Sequence, residues 1–200
     1  MTTDFCNQPR RSPRDRIIEA ARGLFRRNGI PGTGVDAIAD AADSNKMTLY
    51  RHFKSKDELI VECLQRAGSE MDGFWQELDL AHPGDGLGQL RAWVRWVAAH
   101  LGDDNCHCEM MSAAVQLTDE DHPGRSLIRT FKDAQRERVV DLCHKADVAD
   151  PELLADTLLL LIEGARVAQQ SSGADGPSAR FAEIANAAIL FFVGQERRPG

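Results

Sequence analysis

Long apolar runs are absent from this sequence of 200 residues. The longest, residues 187–193, has seven residues, whereas a membrane-spanning helix needs about 18 or more. The N-terminal segment also lacks the apolar stretch of a secretory signal. We therefore expect a cytoplasmic protein without a membrane partner.

Cysteine is scarce and odd in number, with Cys6, Cys63, Cys106, Cys108 and Cys143. An odd count without an export signal argues against a disulfide framework and favours free thiols in a reducing compartment. A nucleophile–base motif, a phosphate-binding glycine loop and zinc-type ligand spacing are also missing. The sequence therefore predicts neither an enzyme nor a cofactor.

Excess positive charge is missing too, because the formal net charge is −7. Taken over the whole chain, this value speaks against a nucleic-acid partner. The charge is uneven, however: residues 1–56 carry 11 basic and 6 acidic groups, whereas residues 57–200 carry 13 and 25. This asymmetry predicts a basic binding module on an acidic body. The alternative is that the basic stretch is only a solvated helix face.

Strand-like alternation and internal repeats are absent, and helical periodicity extends almost throughout the chain. Ser12, Pro13 and Asp15 form the start signal of a first helix, and Gly29 supplies its stop. Two short helices and six longer ones follow, the first long one capped by Ser55. Their predicted ranges are 35–42, 46–53, 55–78, 87–101, 109–117, 123–146, 151–171 and 178–193.

The two short helices and the polar turn between them have the outline of a helix-turn-helix unit. The small residues Ala39 and Ala42 would let the first helix pack closely on the second. Leu49 and Phe53, four residues apart, would face the core. Polar groups that could contact phosphates or bases then project from the second helix: Lys46, Thr48, Tyr50, Arg51 and His52. Three small packed helices without a ligand are the alternative.

Three consecutive patterns resemble the TetR family of transcriptional regulators, over about residues 14–60 and without a gap. They are Arg16-Ile17-Ile18-x-Ala20-Ala21-x-x-Leu24-Phe25-x-x-x-Gly29, Val35-Asp36-x-Ile38-Ala39 and Thr48-Leu49-Tyr50-x-His52-Phe53-x-Ser55-Lys56-x-x-Leu59. The resemblance implies an all-α protein with an N-terminal three-helix helix-turn-helix domain, residues 10–55. A C-terminal helical ligand-binding and dimerisation domain would span residues 56–195.

The resemblance further implies a homodimer whose recognition helices enter successive major grooves of double-stranded, palindromic operator DNA. The half-sites would lie about 34–36 Å apart. Tyr50 and His52 also fit a packing role with one polar tip. The DNA-binding residues predicted in this way are Thr33, Gly34, Asn45, Lys46, Met47, Thr48, Tyr50, Arg51, His52 and Lys56.

Four positions depart from the family pattern. Asp43 stands where a turn glycine is usual, and Asp tolerates left-handed backbone better than most residues. Gly34 replaces a Ser or Thr that commonly caps the second helix. Ser44 replaces a usual Val, and Met47 replaces a usually small residue. These departures leave the operator sequence unpredictable.

The last two predicted helices have apolar arcs wider than a single core stripe, which suggests burial on two sides. The resemblance implies that they form a four-helix bundle between subunits. The predicted dimer interface comprises Leu154, Leu158, Leu161, Phe181, Ile184 and Ala188.

Apolar and aromatic residues of the middle helices fit a cavity for an unknown small-molecule inducer. The same spacing also fits plain core packing. The predicted pocket residues are Trp93, Trp96, His100, Met110, Met111 and Phe131.

These features together predict a transcriptional regulator, a repressor that an inducer releases from its operator. The alternative is a thiol- or metal-responsive regulator on the same scaffold, because Cys106 and Cys108 flank His107. A single Cys-x-Cys pair is a weak metal signal compared with paired Cys-x-x-Cys motifs.

Overall fold

A computed structural model describes residues 12–101 and 109–194. Within these ranges every regular element is helical, which confirms the predicted all-α fold. A short 3₁₀ helix, Pro177–Arg180, precedes the last α-helix. The α-helices are α1 (Pro13–Asn28), α2 (Val35–Ala41), α3 (Lys46–His52), α4 (Lys56–Ala81), α5 (Gly86–His100), α6 (Glu109–Gln116), α7 (Pro123–Lys145), α8 (Pro151–Ser172) and α9 (Phe181–Val193).

The boundaries of α1 and α4 follow the predicted cap residues. The Ser12 hydroxyl accepts a hydrogen bond from the Asp15 backbone N–H at 3.1 Å. Gly29 ends α1 with a φ of 75°, a conformation that glycine adopts without a Cβ penalty. Ser55 caps α4 in the same way as Ser12 caps α1, by accepting from the Glu58 N–H.

The structure divides the last predicted helix, 178–193, into the 3₁₀ helix and α9. Pro177 opens this segment without an N–H to donate. The buried Ser178 hydroxyl donates to the Gln169 side chain at 2.6 Å, and Ala179 donates to the Gly176 carbonyl. These local bonds hold a tighter first turn, so the regular α-helix begins only at Phe181.

The turn between α2 and α3 depends on left-handed backbone at Asp43, whose φ is 49°. The Ser44 N–H reaches back to the Ala39 carbonyl at 3.0 Å. The Arg16 side chain of α1 donates to the Asp43 carbonyl at 3.3 Å. The aspartate therefore takes the conformation expected at this family-variant position.

Buried apolar residues form three clusters, and α4 contributes to each of them. The N-terminal cluster unites α1, α2 and α3 with Leu59 and Cys63 of α4. A small middle cluster joins α4 to α6 and α7 through residues such as Ile60 and Leu64. The largest cluster packs α5, α7, α8 and α9 around Trp75 and Leu78 at the far end of α4. Helix α4 thus connects the helix-turn-helix unit to the body, and the exact domain limits stay a prediction.

No helix in the described part of the chain is long and apolar enough to cross a membrane.

Replacing Asp43 by glycine should raise the free energy of unfolding by about 0.5 kcal/mol, because glycine relieves the left-handed strain. Urea denaturation of the purified protein measures the change. Asp40→Gly is the matched control, since Asp40 lies within α2 and glycine there should cost about 0.3 kcal/mol, the difference between the helix propensities of Asp and Gly. A loss of stability in Asp43→Gly would contradict the strain at this turn.

Candidate nucleic-acid interface

Helix α3 is held by one face, which leaves the other face open. Ala39 and Ala42 are buried where α2 meets α3, as their size predicts. Leu49 and Phe53 are fully buried in the N-terminal cluster, as predicted. The side of α3 opposite Leu49 therefore contributes little to packing and is presented to solvent.

The exposed side of α3 carries cationic, hydrogen-bonding and apolar groups. Met47 is 84% exposed and Tyr50 is 45% exposed. Lys46 and Arg51 are also exposed, and Lys46 forms a surface ion pair with Asp36 of α2 at 3.1 Å. An exposed ion pair of this kind is weak, so the lysine can exchange the carboxylate for a phosphate.

Asn45, Thr48 and His52 are tied more closely to the fold. The Asn45 side chain accepts from the Thr48 N–H at 2.8 Å and so caps α3. Thr48 and His52 are half-buried. The His52 Nε2 is buried and has no hydrogen-bond partner among the described residues. His52 thus has one ring nitrogen that the described fold does not use.

The loop before α2 presents backbone rather than side chains. Thr33 is only 2% exposed, and its hydroxyl donates to the Gly29 carbonyl at 2.7 Å. This side chain closes the end of α1, so the DNA contact of Thr33, which stays a prediction, would need its hydroxyl to leave this bond. Gly34 is exposed, extended and without a side-chain cap for α2. Any contact there depends on backbone N–H groups, as the missing hydroxyl predicts.

Lys56 points into the protein rather than out of it. Its ammonium donates to the Ile30 carbonyl in the loop between α1 and α2. Burial lowers the pKa of Lys56 from its ordinary value. The predicted contact of Lys56 with DNA would therefore require this hydrogen bond to be exchanged.

The predicted pocket residues of α5 are packed on neighbouring rings. Trp93 is buried, with its ring centroid 5.8 Å from that of Trp75. Trp96 lies between Phe74 and His100, at centroid distances of 4.4 and 4.5 Å. Trp93 belongs to the largest apolar cluster and Trp96 packs against it, which favours the alternative of plain core packing for these two residues.

The remaining three predicted pocket residues lie nearer to α4 and α6. Met110 is buried in the middle cluster, which Phe131 of α7 packs against. Met111 lines a cavity of about 340 Å³ between α1, α4, α6 and α8. Sequence reasoning missed most of this cavity because α1 and α6 are separated by more than 80 residues along the chain.

A cluster of charged residues lines the α1 side of this cavity. The Arg22 Nε lies 2.9 Å from the Glu109 Oε1, and Arg26 Nη1 lies 3.0 Å from the same oxygen. Arg22 also forms a bidentate pair with Glu70 of α4, with both distances 2.7 Å. The Glu70 bond is the main reason that the pKa of Arg22 is raised, whereas burial raises the pKa of Glu109.

The predicted interface residues of α8 and α9 divide into inner and outer positions. Leu154, Leu158 and Phe181 are buried within the subunit, so they do not form its surface. Leu161 and Ala188 are half-buried, and Ile184 is exposed. Larger apolar residues that the prediction did not include are also exposed on these two helices, namely Leu153, Leu160, Leu190 and Phe191.

An open apolar groove of about 410 Å³ runs between α8 and α9. Leu160, Leu161 and Gly164 line it from α8, and Ile184 lines it from α9. Leu160 is 70% exposed. It lies seven residues after Leu153, which is also exposed, so the two side chains are on the same face of α8. A stripe of this kind is unusual for a surface that contacts only water.

The described cysteines are Cys63 and Cys143, both buried and both free thiols. Burial raises the pKa of each to about 12. In residues 12–101 and 109–194, no group of three or more His, Cys, Asp and Glu side chains could hold a metal ion. Cys106 and Cys108 lie outside the described residues, so the thiol or metal alternative stays a prediction.

Residues 17–63 match the model of the family described as bacterial regulatory proteins, tetR family. The transcriptional repressor KstR2 of Mycolicibacterium smegmatis is 35% identical over 78 residues, which cover 39% of this chain and only 38% of KstR2. The family model covers most of α1, all of α2 and α3, and the first turns of α4. These are the helices that form the helix-turn-helix unit.

Similar solved structures extend over most of the fold. SCO4454, a TetR-family transcriptional regulator of Streptomyces coelicolor, has a TM-score of 0.79 and 24% identity, covering 90% of this chain and 94% of SCO4454. AibR, solved with isovaleryl coenzyme A and operator DNA, has a TM-score of 0.69 and 18% identity, covering 91% of this chain and 99% of AibR. Residues 17–63 thus carry the helix-turn-helix of the tetR family, and the chain has the fold of TetR-family structures.

The two buried thiols should be unreactive in the folded protein. A variant with Cys6, Cys106 and Cys108 replaced by serine retains only Cys63 and Cys143. With Ellman's reagent at pH 8, its reaction should be more than about 1,000-fold slower than in guanidinium chloride, because a pKa near 12 leaves little thiolate. Rapid reaction of the folded variant would contradict the burial of these thiols.

Proposed function

We propose that this chain is a homodimeric repressor that binds a palindromic operator and releases it when a small molecule binds. The observation that carries the proposal is the free face of α3, where Lys46, Tyr50 and Arg51 project while Leu49 and Phe53 hold the helix. A helix anchored on one side and polar on the other can enter a major groove without unfolding its own core.

The charge distribution supports this orientation. Residues 1–56 carry 11 basic and 6 acidic groups, and the remaining residues carry 13 and 25. The acidic body is repelled by DNA, which favours an approach through the helix-turn-helix end. The DNA contacts proposed are those of Gly34, Asn45, Lys46, Met47, Thr48, Tyr50, Arg51, His52 and Lys56.

The second half of the proposal concerns dimerisation through α8 and α9. A twofold axis across their exposed apolar face would pair each α8–α9 surface with its copy. Such pairing would cover Leu153, Leu160, Ile184 and Phe191, which the described subunit leaves exposed. Each recognition helix would then engage one half-site, and the two sites together would bind with avidity.

Release follows from a shift between two conformations. An inducer that prefers the conformation with a different separation of the two α3 helices shifts the population towards it. Helix α4 contributes to all three apolar clusters, so its movement changes the position of the helix-turn-helix. The structural neighbour AibR was solved in complex with both isovaleryl coenzyme A and operator DNA, which supports a binding site for a small molecule beside a DNA-binding unit in this fold.

Selection of duplexes from a random pool by the full chain tests DNA binding directly. We expect a palindrome with half-sites one helical turn apart, about 34–36 Å. Tyr50→Ala and Arg51→Ala should each weaken binding to the selected duplex by about tenfold or more, since a lost contact costs about 1–3 kcal/mol.

Arg95→Ala is the charge-matched control, because Arg95 is exposed on α5, away from α3. This variant should bind the selected duplex like the wild type in a gel shift. Failure to select any duplex, or unchanged binding by both α3 variants, would refute the assignment of α3.

The dimer face is tested by Leu160→Glu. We expect the dimer dissociation constant to rise by about 100-fold or more, because the twofold axis would bury two uncompensated carboxylates. Analytical ultracentrifugation measures this change. Leu80→Glu is the control, since Leu80 is 82% exposed on α4 and outside the α8–α9 groove. Equal self-association of the two variants would place the interface elsewhere.

A further inference from the structure

The cavity between α1 and α6 holds acceptor groups that are already engaged. Glu109 accepts from both Arg22 and Arg26, through the contacts at 2.9 and 3.0 Å. The side-chain oxygen of Gln116 accepts from the Ile30 N–H at 2.6 Å. A ligand that enters therefore meets few acceptors able to receive its own hydrogen bonds.

The donors of the same cavity are less fully used. Arg22 is committed to Glu70 and Glu109 through all three of its nitrogens. Arg26 has Glu109 as its one hydrogen-bonding partner within the described residues, through a single nitrogen. The Ser112 hydroxyl and the Gln116 amide nitrogen also line the cavity, and neither has a partner in the described ranges. The groups of the cavity that are still able to form hydrogen bonds are thus cationic or neutral donors.

The rest of the wall is apolar and comes from several helices. Phe25 of α1, Ile60 and Leu64 of α4, and Met111 of α6 line it. The volume of about 340 Å³ is near the lower end of ligand cavities, about 300–1,000 Å³. At about 30 Å³ for each water-sized group, it suits a molecule of about ten non-hydrogen atoms.

We propose that this cavity binds a small carboxylate with an apolar body, whose carboxylate pairs with Arg26 and whose body contacts α4 and α6. A guanidinium with free N–H groups is the side chain best suited to a planar carboxylate. The site deepens the proposed function, because it names the chemical class of the inducer and the place where it acts.

The position of the cavity explains how a bound ligand would affect the helix-turn-helix unit. One wall is α1, and another includes Ile30, whose N–H is bound by Gln116 of α6 and whose carbonyl is bound by Lys56 of α4. A second carboxylate beside Arg26 competes with Glu109 for the same cation. Burial already raises the pKa of Glu109, so competition loosens the link between α1 and α6.

Titration calorimetry of the full chain at pH 7.5 tests the site with three probes of equal chain length. Octanoate should bind at least about tenfold more tightly than 1-octanol, since a charged hydrogen bond to Arg26 adds to the same apolar burial. Octylammonium should not bind measurably, because its charge repels Arg26. Equal affinity for octanoate and octanol, or preference for the ammonium, would overturn the proposal.

Two variants give opposite expectations, which a merely structural role would not produce. Arg26→Gln should weaken octanoate binding by about tenfold or more and leave octanol binding unchanged. Glu109→Gln should tighten octanoate binding, because it removes the competing carboxylate. Arg95→Gln, on the exposed side of α5, should change neither. Thermal melts verify that each variant is folded. Each of the two variants tests the site by itself, so the test stands even if one of them does not fold. Weaker octanoate binding in a folded Glu109→Gln would overturn the site.

A gel shift with the selected duplex separates this inference from the proposed function. If the protein binds DNA and octanoate releases it from wild type but not from Arg26→Gln, the coupling holds. If octanoate binds in the calorimeter but leaves DNA affinity unchanged, the coupling through α1 is refuted while DNA binding stands. If no duplex is bound, the proposed function fails, and the calorimetric comparison still decides the carboxylate site.

Discussion

The junction of α1 with α6 is the constraint on which the arrangement of this molecule depends. Arg22 and Arg26 on α1 converge on Glu109, and Arg22 also clamps Glu70 of α4. A partly buried carboxylate of this kind is stable only while its cations stay near, since loss of one partner of a buried pair costs about 3–5 kcal/mol. The helix-turn-helix is therefore fixed to the body by charge as well as by apolar packing.

The loop at Ile30 adds a second fixed point to the same junction. Gln116 and Lys56 satisfy its backbone N–H and carbonyl from two different helices. The loop leads directly into α2, so its position determines where α2 and α3 begin. Side chains of the body thus position the helix-turn-helix unit through bonds of Glu70, Glu109, Gln116 and Lys56 to α1 and the Ile30 loop. A small number of bonds with directional geometry can be exchanged together, which a continuous apolar interface resists.

Local signals in the sequence predicted much of the fold. Ser12, Gly29 and Ser55 mark helix ends because a cap depends on residues within one turn of it. The left-handed turn at Asp43 was predictable for the same reason. The split before α9 was not, because it depends on a bond from Ser178 to Gln169 in the preceding helix.

The candidate sites were predicted less completely. The exposed face of α3 follows from helical spacing alone, which places Leu49 and Phe53 inward. Thr33 is predicted to bind DNA from the family pattern, which carries no information on the bond between its hydroxyl and the Gly29 carbonyl. The pocket predicted around Trp93 and Trp96 stays a prediction; the sequence shows that these rings are apolar but not that they stack on their neighbours. Contacts between α1 and α6 have no local signal at all.

The division of α3 into a buried and a free face also bears on how such a protein can diverge. Met47, Tyr50 and Arg51 contribute little to the apolar clusters, so their replacement alters the exposed surface of α3 at little cost in stability. Leu49 and Phe53 are buried in the N-terminal cluster, so their replacement would lower the stability of the fold. If α3 binds DNA as proposed, single substitutions of Met47, Tyr50 or Arg51 would change the DNA sequence that is recognised and leave the fold unchanged.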